Sequence, residues 1–171
     1  MEIKELLRQV QSGEMSLEAA ESRLKDLPYE DLGFAKLDLH RKLRSGFPET
    51  VFCQGKPDEY LVEIFKRLYE RNGEVLGTRA DERQYELVKA AVPQAVYDPV
   101  SRIIKAEQGE KKKTGCIAVC SGGTADIPVA EEAAQTAEFF GSYVDRIYDV
   151  GVAGIHRLLA QRERIQKANC V

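Results

Sequence analysis

Residues 115–154 read GCIAVCSGGTADIPVAEEAAQTAEFFGSYVDRIYDVGVAG, and this stretch decides the fold. Ile117-Ala118-Val119 is a continuous apolar run, short enough for a buried strand. A Gly-Gly turn follows. Pro128 then opens a helical pattern that runs to Phe139-Phe140 and stops at Gly141. Val144, Ile147 and Val150 mark a second strand. A strand, a helix and a strand joined by a crossover of this length make a parallel βαβ unit. The loop Gly151–Gly154 leads into a helical pattern over Ile155–Lys167, and Asn169-Cys170-Val171 reads as the start of another strand. A sheet this small leaves strand faces uncovered, so residues 111–171 are expected to be a fragment of a doubly wound parallel-sheet domain.

Upstream, the pattern alternates strand and helix. Ile3, Leu6, Leu7 and Val10 recur at helical spacing, and Ser16 caps a second helix over Leu17–Leu24 that Asp26-Leu27-Pro28 stops. Ala35, Leu37, Leu39 and Arg41 alternate with Lys36, Asp38, His40 and Lys42, which predicts a strand. Further strands are expected at Thr50–Cys53, Glu74–Thr78 and Ala95–Tyr97, with helices over Pro57–Arg71 and Asp81–Ala91. The polar segment 107–113, EQGEKKK, reads as a linker. The fold class is therefore α/β: a small N-terminal α/β domain with leading helices over residues 1–110, then an incomplete doubly wound domain over 111–171.

Composition narrows the function classes. A net charge of −3 and a pI near 5.6 argue against a general nucleic-acid or membrane-surface binder. Lys111–Lys113 is the one pure basic run and reads as a solvated loop. Nothing approaches the ~18 apolar residues of a membrane span, and the N-terminus lacks a signal-peptide core. A cytoplasmic location is expected. The cysteines, Cys53, Cys116, Cys120 and Cys170, lack metal-ligand spacing and give no reason for disulfides. No metal or cofactor is assigned.

In an open parallel sheet, ligands bind beyond the carboxyl ends of the strands. Ser121–Asp126 lies at one such end and leads into a helix, whose free N–H groups suit phosphate. Gly122 and Gly123 permit close approach of a ligand to the backbone, and Thr124 can cap the helix or contact an anion. Asp126 can cap the helix or hold a ribose hydroxyl or ring nitrogen. The neighbouring strand ends in Gly151, Ala153 and Gly154, followed at once by His156 and Arg157. Each residue also has a plain structural reading: Asp126 as a cap, the glycines as a turn, Arg157 in a surface ion pair with Asp149 or Glu163. Their convergence on two adjacent strand tips carries the functional reading.

These motifs resemble the catalytic domain of phosphoribosylaminoimidazole carboxylases. Gly122 and Asp126 match the Gly-Ser-x-Ser-Asp turn of that family, and His156-Arg157 matches its Ser-Ala-His-Arg loop. Gly123 and Ala125 stand where the family has serines, and Leu158 where it has threonine. Residues 123–133, GTADIPVAEEA, and 148–158, YDVGVAGIHRL, are more closely similar to the pyridinium-3,5-biscarboxylic acid mononucleotide synthases of nickel-pincer cofactor synthesis. Leu37–Arg41, Arg44–Glu49 and Gly55-Lys56 share that likeness.

The resemblance implies carboxylation of the pyridinium ring of nicotinic acid adenine dinucleotide by carbon dioxide, then hydrolysis of the phosphoanhydride to release AMP. Asp126 and His156 are the implied catalytic pair. Ser121, Gly122, Gly123, Thr124, Gly151, Ala153, Gly154 and Arg157 are the implied substrate contacts. His156 either transfers a proton or positions substrate. The nucleophilic cysteine of that family is expected beyond this stretch, so none of these four cysteines takes that role. A homo-oligomer, octamer or dimer, is implied. An aminoimidazole ribonucleotide carboxylase or mutase, and a non-enzymatic nucleotide-binding module, stay open as alternatives. His40, Arg41, Arg44 and Lys56 form a second group that reads as a solvated strand face or as a contact to the adenylate half or a neighbouring subunit.

Overall fold

The computed structural model describes residues 3–25, 29–39, 41–109 and 111–171. Contacts divide the chain into two compact units, residues 1–49 and 50–171.

The first unit holds α1 (Ile3–Gln11), α2 (Leu17–Lys25), the strands β1 (Glu30–Asp31) and β2 (Lys36–Leu37), and the short helix α3 (Arg41–Ser45). Ser16 Oγ accepts from the N–H of Ala19 and caps α2, as its sequence position predicts. The strand expected over Ala35–Lys42 shrinks to two residues, paired antiparallel with β1. Among the described residues of that run, Leu37 alone is buried. The chain turns immediately afterwards, where the Leu39 N–H donates to the Leu37 carbonyl. Arg41, Lys42, Leu43 and Arg44 are good helix formers, and local propensity takes over once the alternation no longer lies on a core. Gly46, at φ 80°, ends α3. His40 and the Asp26-Leu27-Pro28 stop lie outside the described residues.

The second unit is a mixed α/β structure. Its larger sheet has the order β3-β4-β6-β5, from β3 (Thr50–Phe52), β4 (Glu74–Thr78), β5 (Val96–Asp98) and β6 (Ile103–Glu107). β3 and β4 are parallel and joined by α4 (Asp58–Asn72). β6 runs antiparallel between β4 and β5. Leu61, Ile64, Phe65 and Leu68 form the buried stripe of α4 at helical spacing. Its end is set by Gly73 in the left-handed region at φ 70°. In α5 (Glu82–Ala91), Asp81 and Gln84 make a reciprocal capping box.

β6 is a strand that periodicity does not reveal. Its apolar run, Ile103-Ile104 with Ala106, is too short to choose between helix and strand. Tertiary pairing decides it: both isoleucines are buried in the centre of the sheet. The turn before β6 does have a readable signal in Asp98-Pro99. The Asp98 carboxylate accepts from the Val100 N–H at 3.2 Å and the Ser101 hydroxyl at 2.7 Å.

The smaller sheet pairs β7 (Cys116–Cys120) with β8 (Tyr143–Ile147) in parallel, Cys116 beside Tyr143 and Cys120 beside Ile147. α6 (Ile127–Phe139) is the crossover, with Pro128 in its first turn. Cys170 bridges Ile117 in parallel on the other side of β7, as the terminal strand signal predicts. The helix expected over Ile155–Lys167 divides at Gln161 into α7 (Ile155–Ala160) and α8 (Arg162–Lys167).

The 107–113 segment is fastened on both sides. Lys111 Nζ pairs with Glu74 and with Glu107 at 2.9 Å, and donates to the Phe139 carbonyl at 2.6 Å. Phe139 itself packs in one cluster with Leu76 and Ile103 of the larger sheet. The end of α6 thus seals the face of that sheet, and contacts join residues 50–171 across the composition change.

Candidate functional site

The site begins where β7 and β8 end. Their ladder continues past the last strand residues into both loops. The Ser121 N–H donates to the Ile147 carbonyl at 3.2 Å, and the Val150 N–H returns to the Ser121 carbonyl at 3.0 Å. The Gly151 N–H then donates to the Gly122 carbonyl at 2.9 Å. The two glycine loops are therefore bonded to each other, not merely neighbours. Gly151 is required here for space: a Cβ would collide with the Gly122 carbonyl. Gly122 has ordinary room, with Asp126 Oδ2 3.4 Å from where a Cβ would stand.

Asp126 folds back over the turn. Its Oδ2 accepts from the Gly123 N–H at 3.0 Å, and its own N–H donates to the Gly123 carbonyl at 3.1 Å. This closes a short 3-10 turn, Thr124–Asp126, at the head of α6. The carboxylate stays exposed, so the structure gives Asp126 a capping contact and leaves it open to solvent. Thr124 and Ala153 are exposed on the two loops, and nothing lies within 4 Å of a Cβ placed on Gly123.

Ser121 is the unusual member. It is only 7% exposed, and its hydroxyl has no hydrogen-bond partner among the described residues. A buried hydroxyl without a partner costs about 1–3 kcal/mol, which a ligand or water at this strand tip would relieve.

In the second loop, Arg157 forms an ion pair with Asp149. This is one of the plain structural readings of Arg157, and both side chains are partly open to solvent. The guanidinium lies against Gly154, where a Cβ would come within 2.7 Å of Nε. Gly154 thus makes room for the arginine. Asp149 sits at φ 58°, a left-handed conformation that aspartate tolerates better than most side chains. The charges along the chain offered Arg157 either Asp149 or Glu163, and the structure selects Asp149. His156 is exposed at the start of α7 and makes no side-chain hydrogen bond or ion pair among the described residues.

Behind the loops, Arg146 of β8 bridges two carboxylates of α6. It meets Glu131 at 2.9 Å and Glu138 at 2.7 Å. Tyr148 donates its hydroxyl to Glu131 at 2.7 Å. Glu131 and Glu138 lie two helical turns apart, so both face the strand. The Arg146 hydrogen bond holds the Glu138 carboxyl below its ordinary range. Burial pushes Glu131 the other way, but the bonds from Arg146 and Tyr148 outweigh it and lower that carboxyl too. Burial and the Glu131 carboxylate push the Tyr148 phenol up to about 12. The network fixes α6, and with it the Gly122 turn, against the strand that delivers Tyr148 and Asp149.

Among the described residues, no cluster of three or more His, Cys, Asp or Glu side chains is placed to hold a metal ion, and no helix is long and apolar enough to cross a membrane. Lys56 of the second group follows β3, and Arg41 opens α3.

A family model described as the LarB/PurE-like N-terminal domain matches residues 29–108. An uncharacterized protein of Methanocaldococcus jannaschii is 34% identical over 172 residues, a match that covers 95% of this chain and 67% of that protein. The chain belongs to the LarB/PurE family. The family match falls on the larger sheet and the segment leading into it, while the strand-tip loops lie downstream of it, within the stretch shared with the archaeal relative. LarB/PurE proteins are typically enzymes of the carboxylase and mutase kind, related to the aminoimidazole ribonucleotide carboxylases. The mixed α/β architecture described above is consistent with a PurE-like fold.

Proposed function

We propose that this chain is part of an enzyme that carboxylates the pyridinium ring of nicotinic acid adenine dinucleotide and then hydrolyses its phosphoanhydride to release AMP. One observation carries the reading. Two glycine loops at adjacent parallel-strand tips are bonded Gly151 to Gly122, around a buried Ser121 hydroxyl with no partner. That is a cradle for a ligand rich in hydroxyl and phosphate oxygens.

The chemistry follows from the ring. A pyridinium is electrophilic, so addition of a thiolate makes it an electron-rich dihydropyridine that attacks carbon dioxide. A base then removes the ring proton, and departure of the thiolate restores the aromatic cation. The net change exchanges a ring hydrogen for a carboxylate and releases one proton. In this scheme Ser121 and the turn N–H groups hold substrate oxygens. Asp126 contacts a substrate hydroxyl. Exposed His156 is free to serve the ring proton or the new carboxylate. Arg157, partnered by Asp149, presents a cation for a phosphate or carboxylate.

The second reading is an aminoimidazole ribonucleotide carboxylase or mutase. The positions of Asp126 and His156-Arg157 favour it. Labelled bicarbonate with each substrate separates the two. Label transferred from bicarbonate to the dinucleotide by the full-length protein is the expected result. Label in aminoimidazole ribonucleotide alone overturns the first reading.

A further inference from the structure

A second recess lies at the opposite end of the smaller sheet. It has a volume of about 690 Å³ and opens at the amino ends of β7 and β8. A five-residue strand at ~3.3 Å per residue puts roughly 16 Å between it and the Gly122–Gly151 loops. Its walls include Lys105 of β6, the run Lys111-Lys112-Lys113, and the ring of Tyr143.

The lysine run is held in place, not displayed on a loose loop. Lys111 is committed to Glu74, Glu107 and the Phe139 carbonyl, and its ammonium lies 3.7 Å from the centre of the Phe139 ring. Three residues on, the Thr114 N–H donates to the Gly141 carbonyl at 2.8 Å. Lys112 and Lys113 are exposed between these two anchors. Lys105, Lys112 and Lys113 form no ion pair among the described residues. Of the two carboxylates on the wall, Glu107 is paired with Lys111, and Glu138, bridged by Arg146, also feels the charges of Lys113 and Lys105. Glu110 lies outside the described residues. The recess is therefore positive, with ammonium groups that retain unused donors.

We propose that this recess binds a nucleoside polyphosphate, with Lys105, Lys112 and Lys113 on the phosphates and the Tyr143 ring against the base. Its volume falls within the range of small-molecule sites. Lysine binds phosphate as a point charge. Tyr143 is 57% exposed, and Lys113 Nζ sits 5.8 Å from the centre of its ring. A flat apolar face beside several cations suits a base joined to phosphates better than a bare anion. The proposal does not depend on the chemistry assigned to the strand-tip loops.

Isothermal titration of the intact chain in low-salt buffer tests it, with ADP, pyrophosphate and adenosine as separate ligands. ADP is expected to bind more tightly than pyrophosphate and much more tightly than adenosine, and to weaken as salt is added. Combining Lys112→Glu with Lys113→Glu is expected to cost ADP about tenfold in affinity, close to 1.4 kcal/mol. Lys112→Gln with Lys113→Gln, which keeps the length and removes the charge, is expected to lower it in the same direction. Tyr143→Ala removes the advantage of ADP over pyrophosphate. Unchanged ADP affinity in both lysine double variants overturns the proposal. So does loss of ADP binding on Ser121→Val, which would place the ligand at the other end of the sheet. Binding of polyglutamate without ADP would also overturn it and make the recess a surface for an acidic partner.

Discussion

The two sheets of the second unit solve opposite problems. The larger one is closed: Val75, Leu76, Ile103, Ile104 and Ala106 are all at most 1% exposed, and helices and Phe139 cover them. The smaller one is open. Its buried core is Ala118, Ile147 and Val150 with the half-buried Leu158, Ile165 and Ala168 against it, while Val152, Ile155 and Leu159 stay largely exposed on the segment that follows. The candidate site grows from the open sheet. Burial is concentrated in the larger sheet, and the strand tips that expose backbone groups sit on the sparser core.

The sharpest way to break this contrast is Gly77→Val. A Cβ at this position in β4 would come within 2.7 Å of Cys53 Sγ and would overlap the Phe65 ring. Overpacking at the centre of the closed sheet is expected to cost at least about 3 kcal/mol, read as a fall in the urea midpoint. Next comes Gly151→Ala, which pushes a methyl into the Gly122 carbonyl. It is expected to abolish ligand binding at the strand tips while lowering stability by only ~1–2 kcal/mol. If its stability loss matches that of Gly77→Val, the contrast between the sheets fails.

The Arg146 network gives a pH test. Glu131 and Glu138 both titrate below their ordinary value in the folded protein. Their stabilisation is complete above the ordinary carboxyl range, and it is lost as pH falls through the lower folded values. Arg146→Met is expected to cost about 1–2 kcal/mol at neutral pH, because it strands two partly buried carboxylates. It should also flatten the acid limb of stability against pH. A parallel acid limb in the variant would show that other carboxyls dominate.

Smaller effects follow at the surface. Asp149→Asn keeps the left-handed backbone but frees Arg157. It is expected to change stability by less than ~1 kcal/mol while altering affinity for an anionic ligand. Thiol titration gives the smallest readout. Burial pushes the Cys53 thiol up to about 12, so it should react with a thiol reagent only on unfolding, while exposed Cys120 and Cys170 react in the native protein.

Much of this was legible along the chain. The apolar run before Gly122, Pro128 at the helix start and Gly141 at its end marked the parallel unit without ambiguity, because each imposes a local backbone preference. The leading helices and the helix read over Asp81–Ala91 were equally local. What failed was non-local. Ala35–Lys42 alternates like a strand, but alternation builds one only where a face is buried, and among its described residues only Leu37 finds a core. Ile103–Glu107 lacked enough period to declare itself, yet it became the middle of a sheet by pairing on both sides. The pairing of Asp149 with Arg157 was one of two partners the charges allowed, and coordinates were needed to choose.

Turn chemistry and hydrophobic spacing thus specified the α/β class, the βαβ crossover and the location of two glycine loops at strand ends, since these depend on each residue's own backbone and its near neighbours. Only the folded chain decided that those loops bond to each other, that Ser121 is left buried without a partner, and that the charged 107–113 segment is anchored beside a basic recess. Such outcomes turn on which distant atoms share a space, and no local pattern encodes that.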